Sequence, residues 1–151
     1  MTSSRWTWST AILYSWHLID GLSHLLLEST YVYGCFRHSI PIDIQTQSSC
    51  APSLGPCNTH DFLGRSDRLY GNIYGNGFFA KIWHEYAKAD NRYAGIDLTT
   101  LSLEIVTVFL AGPLALYVAE QIRRDISKRG YLTGRTWFWV NVLAVAELYG
   151  G

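Results

Sequence analysis

Residues 98–119 read LTTLSLEIVTVFLAGPLALYVA and contain one charged residue, Glu104, in 22 positions. An α-helix needs about 20 predominantly apolar residues to cross the hydrocarbon layer of a membrane. Gly112 and Pro113 interrupt this run, but neighbouring helices of a membrane bundle can satisfy the backbone groups that a proline frees. The stretch therefore predicts a kinked transmembrane helix, and its small residues around Gly112 would let another helix approach closely.

An earlier stretch, residues 8–36, is long enough for a second span but carries four ionisable side chains. These are His17, Asp20, His24 and Glu28. Their spacing of i, i+3, i+7 and i+11 places them on one face of a helix. Ionisable groups are costly in contact with lipid, so this face is expected to point into a helical bundle. The N-terminus lacks the small-residue cleavage site of a signal peptide and is interpreted as a retained anchor.

The C-terminal part of the chain predicts a loop and then a further helix. Residues 120–135 hold five basic and two acidic residues, a bias that favours a cytosolic loop. Residues 136–151 begin a third apolar segment that is too short for a full crossing. The predicted fold is therefore all-α, a polytopic membrane bundle with two full transmembrane helices and a partial third. We expect one domain, residues 1–151, that is incomplete at its C-terminus.

Residues 37–77 differ in character, because Pro, Gly, Ser and Asn are frequent there. This composition predicts an extramembrane loop insertion rather than a second domain. The insertion contains Cys50 and Cys57, which would form a disulfide if the loop faced an oxidising lumen. With only three cysteines in the chain, free thiols are the favoured interpretation, and both interpretations stay open.

Composition narrows the classes of partner. The 12 basic and 12 acidic residues cancel, so no general attraction to nucleic acid is expected. Charged residues make up 16% of the chain, against about 25% in an ordinary soluble domain, and this favours a membrane protein. The glycine-rich stretch GNIYGNG follows no predicted buried strand, so a phosphate or dinucleotide loop is not predicted.

Two groups of residues could carry proton chemistry. His24 and Glu28 lie at i and i+4, where an imidazole and a carboxylate meet on a helix and can exchange a proton. Glu104 lies among apolar residues with Thr107 one turn later, and a carboxyl group in such surroundings can transfer a proton near neutral pH. A purely structural hydrogen bond between helices is the open alternative. A metal site is disfavoured, because bundle metal sites use Glu-x-x-His pairs and the chain has none.

Three blocks of the sequence match one family pattern. Residues 15–28, SWHLIDGLSHLLLE, fit W-x4-G-x2-H-x3-E. Residues 83–97, WHEYAKADNRYAGID, are close to the signature W-K-E-Y-A-K-G-D-S-R-Y. Residues 103–118, LEIVTVFLAGPLALYV, fit E-x2-T-x4-GPL-x-L. With these blocks the chain resembles the emopamil-binding protein family, the sterol Δ8-Δ7 isomerases that carry the EXPERA domain.

The resemblance implies a cholestenol delta-isomerase that needs neither a cofactor nor a metal. It implies a multi-pass protein of the endoplasmic reticulum membrane, with a sterol substrate, membrane lipid as its surroundings and no nucleic acid partner; a homo-oligomer is also compatible. The reaction would protonate C9, pass through a cation at C8 and release a proton from C7. The residues to which the resemblance assigns catalysis are His24, Glu28, Glu104 and Thr107. We prefer the His24 and Glu28 pair for proton delivery and Glu104 for the cation.

Two other functions stay open at this point. Family members carry a helix before the first block and a last helix with an Asn and a Trp, and neither is found in this sequence. A non-catalytic sterol-binding or drug-binding EXPERA protein, or an inactive fragment, would therefore also fit.

The polar segment at residues 83–93, WHEYAKADNRY, has two interpretations. Its aromatic residues could anchor it at the membrane interface, with Lys88 and Arg92 in water. It could instead cover the mouth of a substrate pocket and orient the catalytic groups. The candidate supporting residues are Glu85, Asp90, Arg92 and Tyr93.

Overall fold

A computed structural model describes residues 6–42 and 62–150 of the chain. The chain divides into two compact units, Met1–Glu28 with Val106–Gly151, and Ser29–Ile105. The helices are α1 (Trp8–Ser23), α2 (Ser29–Arg37), α3 (Phe78–Ala89), α4 (Leu98–Val106), α5 (Gly112–Arg129) and α6 (Gly134–Gly150). Two π-helical turns, His24–Glu28 and Thr107–Ala111, follow α1 and α4. The single domain of residues 1–151 stays a prediction, and Cys50 and Cys57 lie outside the described residues.

Helix α1 has its apolar face outward and its polar face inward, the reverse of a helix in a soluble protein. The outward side chains are between 64% and 87% exposed and comprise Trp8, Ile12, Trp16 and Ile19. His17, Gly21 and His24 occupy the buried face. Large apolar side chains are stable in that position when lipid rather than water surrounds them. The inward orientation of the ionisable face agrees with the sequence prediction.

Small residues let α1 and α5 pack closely in the first unit. A Cβ atom added to Gly21 would lie 2.8 Å from Leu116 Cδ2 and 3.0 Å from the Gly112 carbonyl oxygen. A Cβ atom added to Gly112 would lie 3.0 Å from the His24 Cβ atom. The close approach predicted at Gly112 is therefore present, and α1 is the partner. The buried core beside this contact consists of Ala115, Val118, Ile122, Ile126, Val140 and Leu143.

The helix Leu98–Arg129 contains the apolar stretch that predicted a span. Only 33% of its most apolar window is buried, a pattern typical of a helix that contacts lipid. Within residues 6–42 and 62–150, it is the one helix that is long and apolar enough to cross a membrane. The second full span and the partial third stay predictions. The helix continues through Pro113 because the turn before it is widened, with the Gly112 N–H bonded to the Thr107 carbonyl.

The basic region after the apolar stretch is partly helical rather than a loop. Helix α5 continues to Arg129, whereas the basic bias of residues 120–135 predicted a cytosolic loop. Glu120 pairs with Arg123 and Arg124, one turn further along the helix. Such i,i+3 and i,i+4 pairs support an exposed helix. The helix ends at Gly130, whose φ of 78° lies in the left-handed region that glycine adopts readily.

The second unit combines short helices with a small β-ribbon. Strands β1 (Ser39–Pro41) and β2 (Arg68–Tyr70) pair antiparallel, with Ser39 opposite Tyr70. This ribbon is regular structure inside the region predicted as an irregular loop. The core of the unit consists of Tyr31, Cys35, Trp83, Ile96 and Leu101. Cys35 is a free, fully buried thiol.

A buried amide locks α2 against the segment after β2. Asn72 is 1% exposed and donates from Nδ2 to the Tyr31 carbonyl oxygen at 3.0 Å. The Asn72 side chain lies directly over Gly34, so that a Cβ atom at this position would overlap with the amide. Gly34 is therefore required for its small size and not for its backbone conformation.

We expect Gly34→Ala to lower the free energy of unfolding by about 1–3 kcal/mol, the usual cost of overpacking. The sign of this change in the free energy of unfolding is informative, because alanine in a helix is otherwise favoured over glycine by roughly 1 kcal/mol. Thermal unfolding of the purified protein in detergent measures the effect. Gly134→Ala is the matched control, since Gly134 also lies in a helix and nothing lies within 4 Å of the added atom. Equal melting temperatures for the two variants would contradict the packing described.

Candidate active site

The first candidate cluster lies in the first unit and centres on Glu28. The His24 Nδ1–H donates to Glu28 Oε2 at 2.6 Å, and the Thr107 hydroxyl donates to the same oxygen at 2.6 Å. The structure therefore brings together three of the four residues predicted to be catalytic. His24 and Thr107 each begin a π-helical turn, and such turns occur frequently at functional sites.

The other ring nitrogen of His24 faces two more carboxylates. His24 Nε2 lies 3.6 Å from Asp20 Oδ1 and 3.5 Å from Glu147 Oε1, and its side chain is 8% exposed. Asp20 comes from α1 and Glu147 from α6. The sequence placed Asp20 on the ionisable face of residues 8–36 but did not predict a role for Glu147. Nothing in the spacing of Glu147 links it to His24, 123 positions earlier.

The second candidate cluster lies in the second unit and centres on Glu104, which is 8% exposed. The Tyr93 hydroxyl donates to Glu104 Oε1 at 2.8 Å. The Tyr93 ring stacks on Trp83 with ring centroids 5.5 Å apart and contacts Tyr31 edge-on at 5.0 Å. Burial, together with the hydrogen bond to Glu104, raises the pKa of the Tyr93 hydroxyl. The hydroxyl therefore stays protonated at neutral pH and remains a donor to the carboxylate.

The remaining residues predicted to support the site form ion pairs within their own segment. Glu85 pairs with Lys88 at 2.6 Å, and both side chains are at least 70% exposed. Asp90 pairs with Arg92 at 2.6 Å, and the hydrogen bonds from Arg92 lower the pKa of that carboxyl. Of the four predicted supporting residues, the structure brings Tyr93 to a candidate catalytic group.

The aromatic side chains in the segment 83–93 differ in how far they are exposed. Trp83 is 4% exposed and its Nε1–H donates to the Thr30 hydroxyl at 2.9 Å. Tyr86 is 51% exposed. Trp83 is therefore part of the core of its unit, although one interpretation of the sequence placed it at the membrane interface. The residue type could not distinguish these environments, because both favour an amphipathic ring with a satisfied N–H.

A cleft of about 430 Å³ is also present in the second unit. Its walls include Tyr33, His38, Phe78 and Phe79. None of the predicted catalytic residues is among those that line it. The candidate chemistry is therefore not located in this cleft.

The chain is similar in sequence to several known proteins. Residues 78–151 match the family model described as EXPERA (EXPanded EBP superfamily). A protoglabretal synthase of Citrus sinensis is 26% identical over 139 residues, covering 92% of this chain and 47% of that protein. A probable 3-beta-hydroxysteroid-Delta(8),Delta(7)-isomerase of Arabidopsis thaliana is 25% identical over 141 residues, covering 92% and 44%.

A third relative is more similar over a shorter region. The 3-beta-hydroxysteroid-Delta(8),Delta(7)-isomerase of Cavia porcellus is 33% identical over 73 residues, covering 48% of this chain and 29% of that protein. The chain spans less than half the length of each of these three relatives. No solved structure matches it.

Proposed function

Residues 78–151 of the chain match the EXPERA (EXPanded EBP superfamily) family model, and on that premise we propose that the chain is a sterol Δ8-Δ7 isomerase. The observation that carries the proposal is the convergence of His24 and Thr107 on one oxygen of Glu28. Two relatives named as 3-beta-hydroxysteroid-Delta(8),Delta(7)-isomerases support it. An acid and a base held by hydrogen bonds are what a double-bond shift requires.

The proposed reaction moves a ring double bond by two proton transfers. A proton adds to C9, the positive charge develops at C8, and the bond between C7 and its hydrogen then breaks to form the new double bond. One proton enters and one leaves, so no electrons are exchanged with a cofactor.

We assign the proton transfers to His24 and Glu28. The hydrogen bond of 2.6 Å between Nδ1 and Oε2 lets one proton be shared between the two groups. The Thr107 hydroxyl, from the π-helical turn after α4, donates to the Glu28 carboxylate and thereby fixes its orientation. Because Thr107 acts through Glu28 in this arrangement, we assign it a positioning role.

We assign stabilisation of the cation to Glu104 and the aromatic residues of the second unit. Glu104 is buried and supplies a carboxylate that the Tyr93 hydroxyl holds in place. The faces of Trp83 and Tyr93 are negatively polarised and attract cations. A carboxylate and aromatic faces in surroundings without water stabilise a positive charge more strongly than in solution.

The proposed setting is the membrane of the endoplasmic reticulum, with several transmembrane segments and a sterol drawn from the surrounding lipid. The apolar outward face of α1 and the apolar helix Leu98–Arg129 support this proposal. Sterols are themselves nearly insoluble in water, so a lipid-embedded enzyme would meet its substrate directly.

Expression in a yeast strain without its own Δ8-Δ7 isomerase tests the proposed function. We expect Δ7-sterols to appear in cells that produce this chain and to be absent from cells with an empty vector. Immunoblotting of the membrane fraction establishes that the protein is present. Persistent Δ8-sterol in cells that contain the protein would contradict the isomerase function and favour the sterol-binding alternative.

A further inference from the structure

We propose that Asp20, His24 and Glu147 form a binding site for a divalent transition-metal ion, for which Zn²⁺ is the best match. One ligand atom from each of the three residues lies within 4.8 Å of the other two. An imidazole nitrogen combined with carboxylate oxygens is a ligand set that zinc uses in proteins. The site is separate from the Glu28 oxygen that receives the hydrogen bonds of His24 and Thr107.

The distances around His24 Nε2 fit a shared ion better than a hydrogen bond. Nε2 lies at nearly equal distances, 3.6 Å and 3.5 Å, from Asp20 Oδ1 and Glu147 Oε1. An N–H···O hydrogen bond is normally about 2.9 Å long, and within the described chain Nε2 has no hydrogen-bond partner. Two ligand atoms that each lie about 2.1 Å from a tetrahedral ion are roughly 3.4 Å apart. The observed separations are close to that value.

The tautomer of His24 also suits a metal ligand. Glu28 is a hydrogen-bond acceptor when ionised, so the 2.6 Å contact places a hydrogen on His24 Nδ1. In the neutral imidazole, Nε2 then carries a lone pair that faces two carboxylates. A cation between these three groups relieves the repulsion. A metal-binding histidine that donates its other N–H to a carboxylate is a common arrangement.

Two helices contribute to the site, whereas the sequence disfavoured a metal because the chain has no Glu-x-x-His pair. The four ionisable residues that the sequence placed on one helix face, His17, Asp20, His24 and Glu28, all come from one segment. Folding of the first unit adds Glu147 from α6 to Asp20 and His24 of the first helical segment. The resulting set has three protein ligands and leaves a fourth position for water.

A metal ion at this site is not part of the proposed isomerase function, but it would affect that function through His24. An ion bound at Nε2 would hold His24 neutral and fix its ring, so that proton delivery through His24 and occupation by the ion would exclude each other. The ion would therefore act as an inhibitor of isomerisation and not as a cofactor.

Calorimetric titration of the purified full chain in detergent, after treatment with a chelator, tests the site. We expect one Zn²⁺ per chain, with little binding of Mg²⁺ or Ca²⁺, which prefer sites formed by oxygen ligands alone. Asp20→Asn and Glu147→Gln preserve side-chain shape and should each weaken zinc binding at least tenfold. His17→Gln is the matched control, because it removes another buried imidazole from the same helix and should leave zinc binding unchanged.

A measurement on the unmutated chain keeps the test independent of folding defects in the variants. Co²⁺ should give visible absorption bands of a coordinated ion, and added Zn²⁺ should remove them. No saturable Zn²⁺ binding above the detergent blank, or equal binding in the Asp20→Asn, Glu147→Gln double variant, would overturn the site. Either result leaves the isomerase proposal intact, whereas zinc binding by a chain without isomerase activity contradicts only that proposal.

Discussion

Replacing Glu28 by glutamine is expected to lower the turnover number for sterol isomerisation by about 10²- to 10⁴-fold, the usual contribution of a general acid or base. Glu28 Oε2 receives the hydrogen bonds of His24 and Thr107. Glutamine retains the size of the side chain but cannot accept the shared proton. The measurement is the rate at which the purified protein converts a Δ8-sterol into its Δ7 isomer.

Two substitutions of Thr107 provide matched controls for this prediction. Thr107→Ser retains the hydroxyl that donates to Glu28, and its rate should stay close to that of the unmutated protein. Thr107→Val removes the hydroxyl at nearly constant volume, and its rate should fall between those of the serine and Glu28→Gln variants. Normal turnover by a folded Glu28→Gln variant would show that Glu28 takes no part in the reaction.

Residues that share one helix were the part of the site that the sequence could predict. The i,i+4 spacing of His24 and Glu28 fixes their contact once the segment is helical, and the structure shows it. The family resemblance rested on short blocks of this kind, and two of the three lie within residues 78–151, which match the EXPERA family model. Local spacing and local motifs therefore carried most of the correct prediction.

Contacts between distant parts of the chain could not be predicted from local spacing and local motifs. The hydrogen bond from Thr107 to Glu28 joins residues 79 positions apart, and only the resemblance had assigned both to the reaction. Glu147 was not predicted at all, because its approach to His24 depends on how α6 packs in the first unit. The π-helical turns were also missed, since no residue type specifies them.

The region of residues 8–36 illustrates how charge patterning limits a prediction based on hydropathy. Its four ionisable residues lower the mean hydropathy, so composition alone does not identify a span. The exposure of Trp8, Ile12 and Trp16 opposite the buried His17 shows which face is compatible with lipid. Whether a helix face can contact lipid depends on the direction of each side chain and not on the mean hydropathy of the segment.

Glu104→Gln should reduce isomerisation to the background rate, because a neutral amide cannot balance the charge that develops at C8. The effect is expected to exceed the roughly 10²- to 10³-fold loss that follows removal of one stabilising hydrogen-bond donor in other enzymes. Glu104 is 8% exposed, and low local polarity strengthens the attraction between the carboxylate and the cation. Sterol profiles and initial rates measured with purified protein test this expectation.

Tyr93→Phe separates the orientation of Glu104 from its charge. The variant retains the ring that stacks on Trp83 and loses the hydroxyl that donates to Glu104 at 2.8 Å. A hydrogen bond to a charged group contributes about 1.5–3 kcal/mol, so a loss of roughly 10- to 100-fold in turnover is expected. If Tyr93→Phe were as inactive as Glu104→Gln, the hydroxyl would itself take part in the chemistry.

Binding of a protonated amine distinguishes a lost charge from a lost fold. Such an amine imitates the cation, and Glu104→Gln retains the stacked rings of Trp83 and Tyr93, whose π systems attract cations. We therefore expect this variant to bind the amine more weakly but measurably while its turnover is lost. Full activity of Glu104→Gln would exclude Glu104 from catalysis. Loss of both activity and amine binding, together with a normal melting temperature, would instead assign Glu104 to ligand binding, because a purely catalytic role predicts that the two measurements separate.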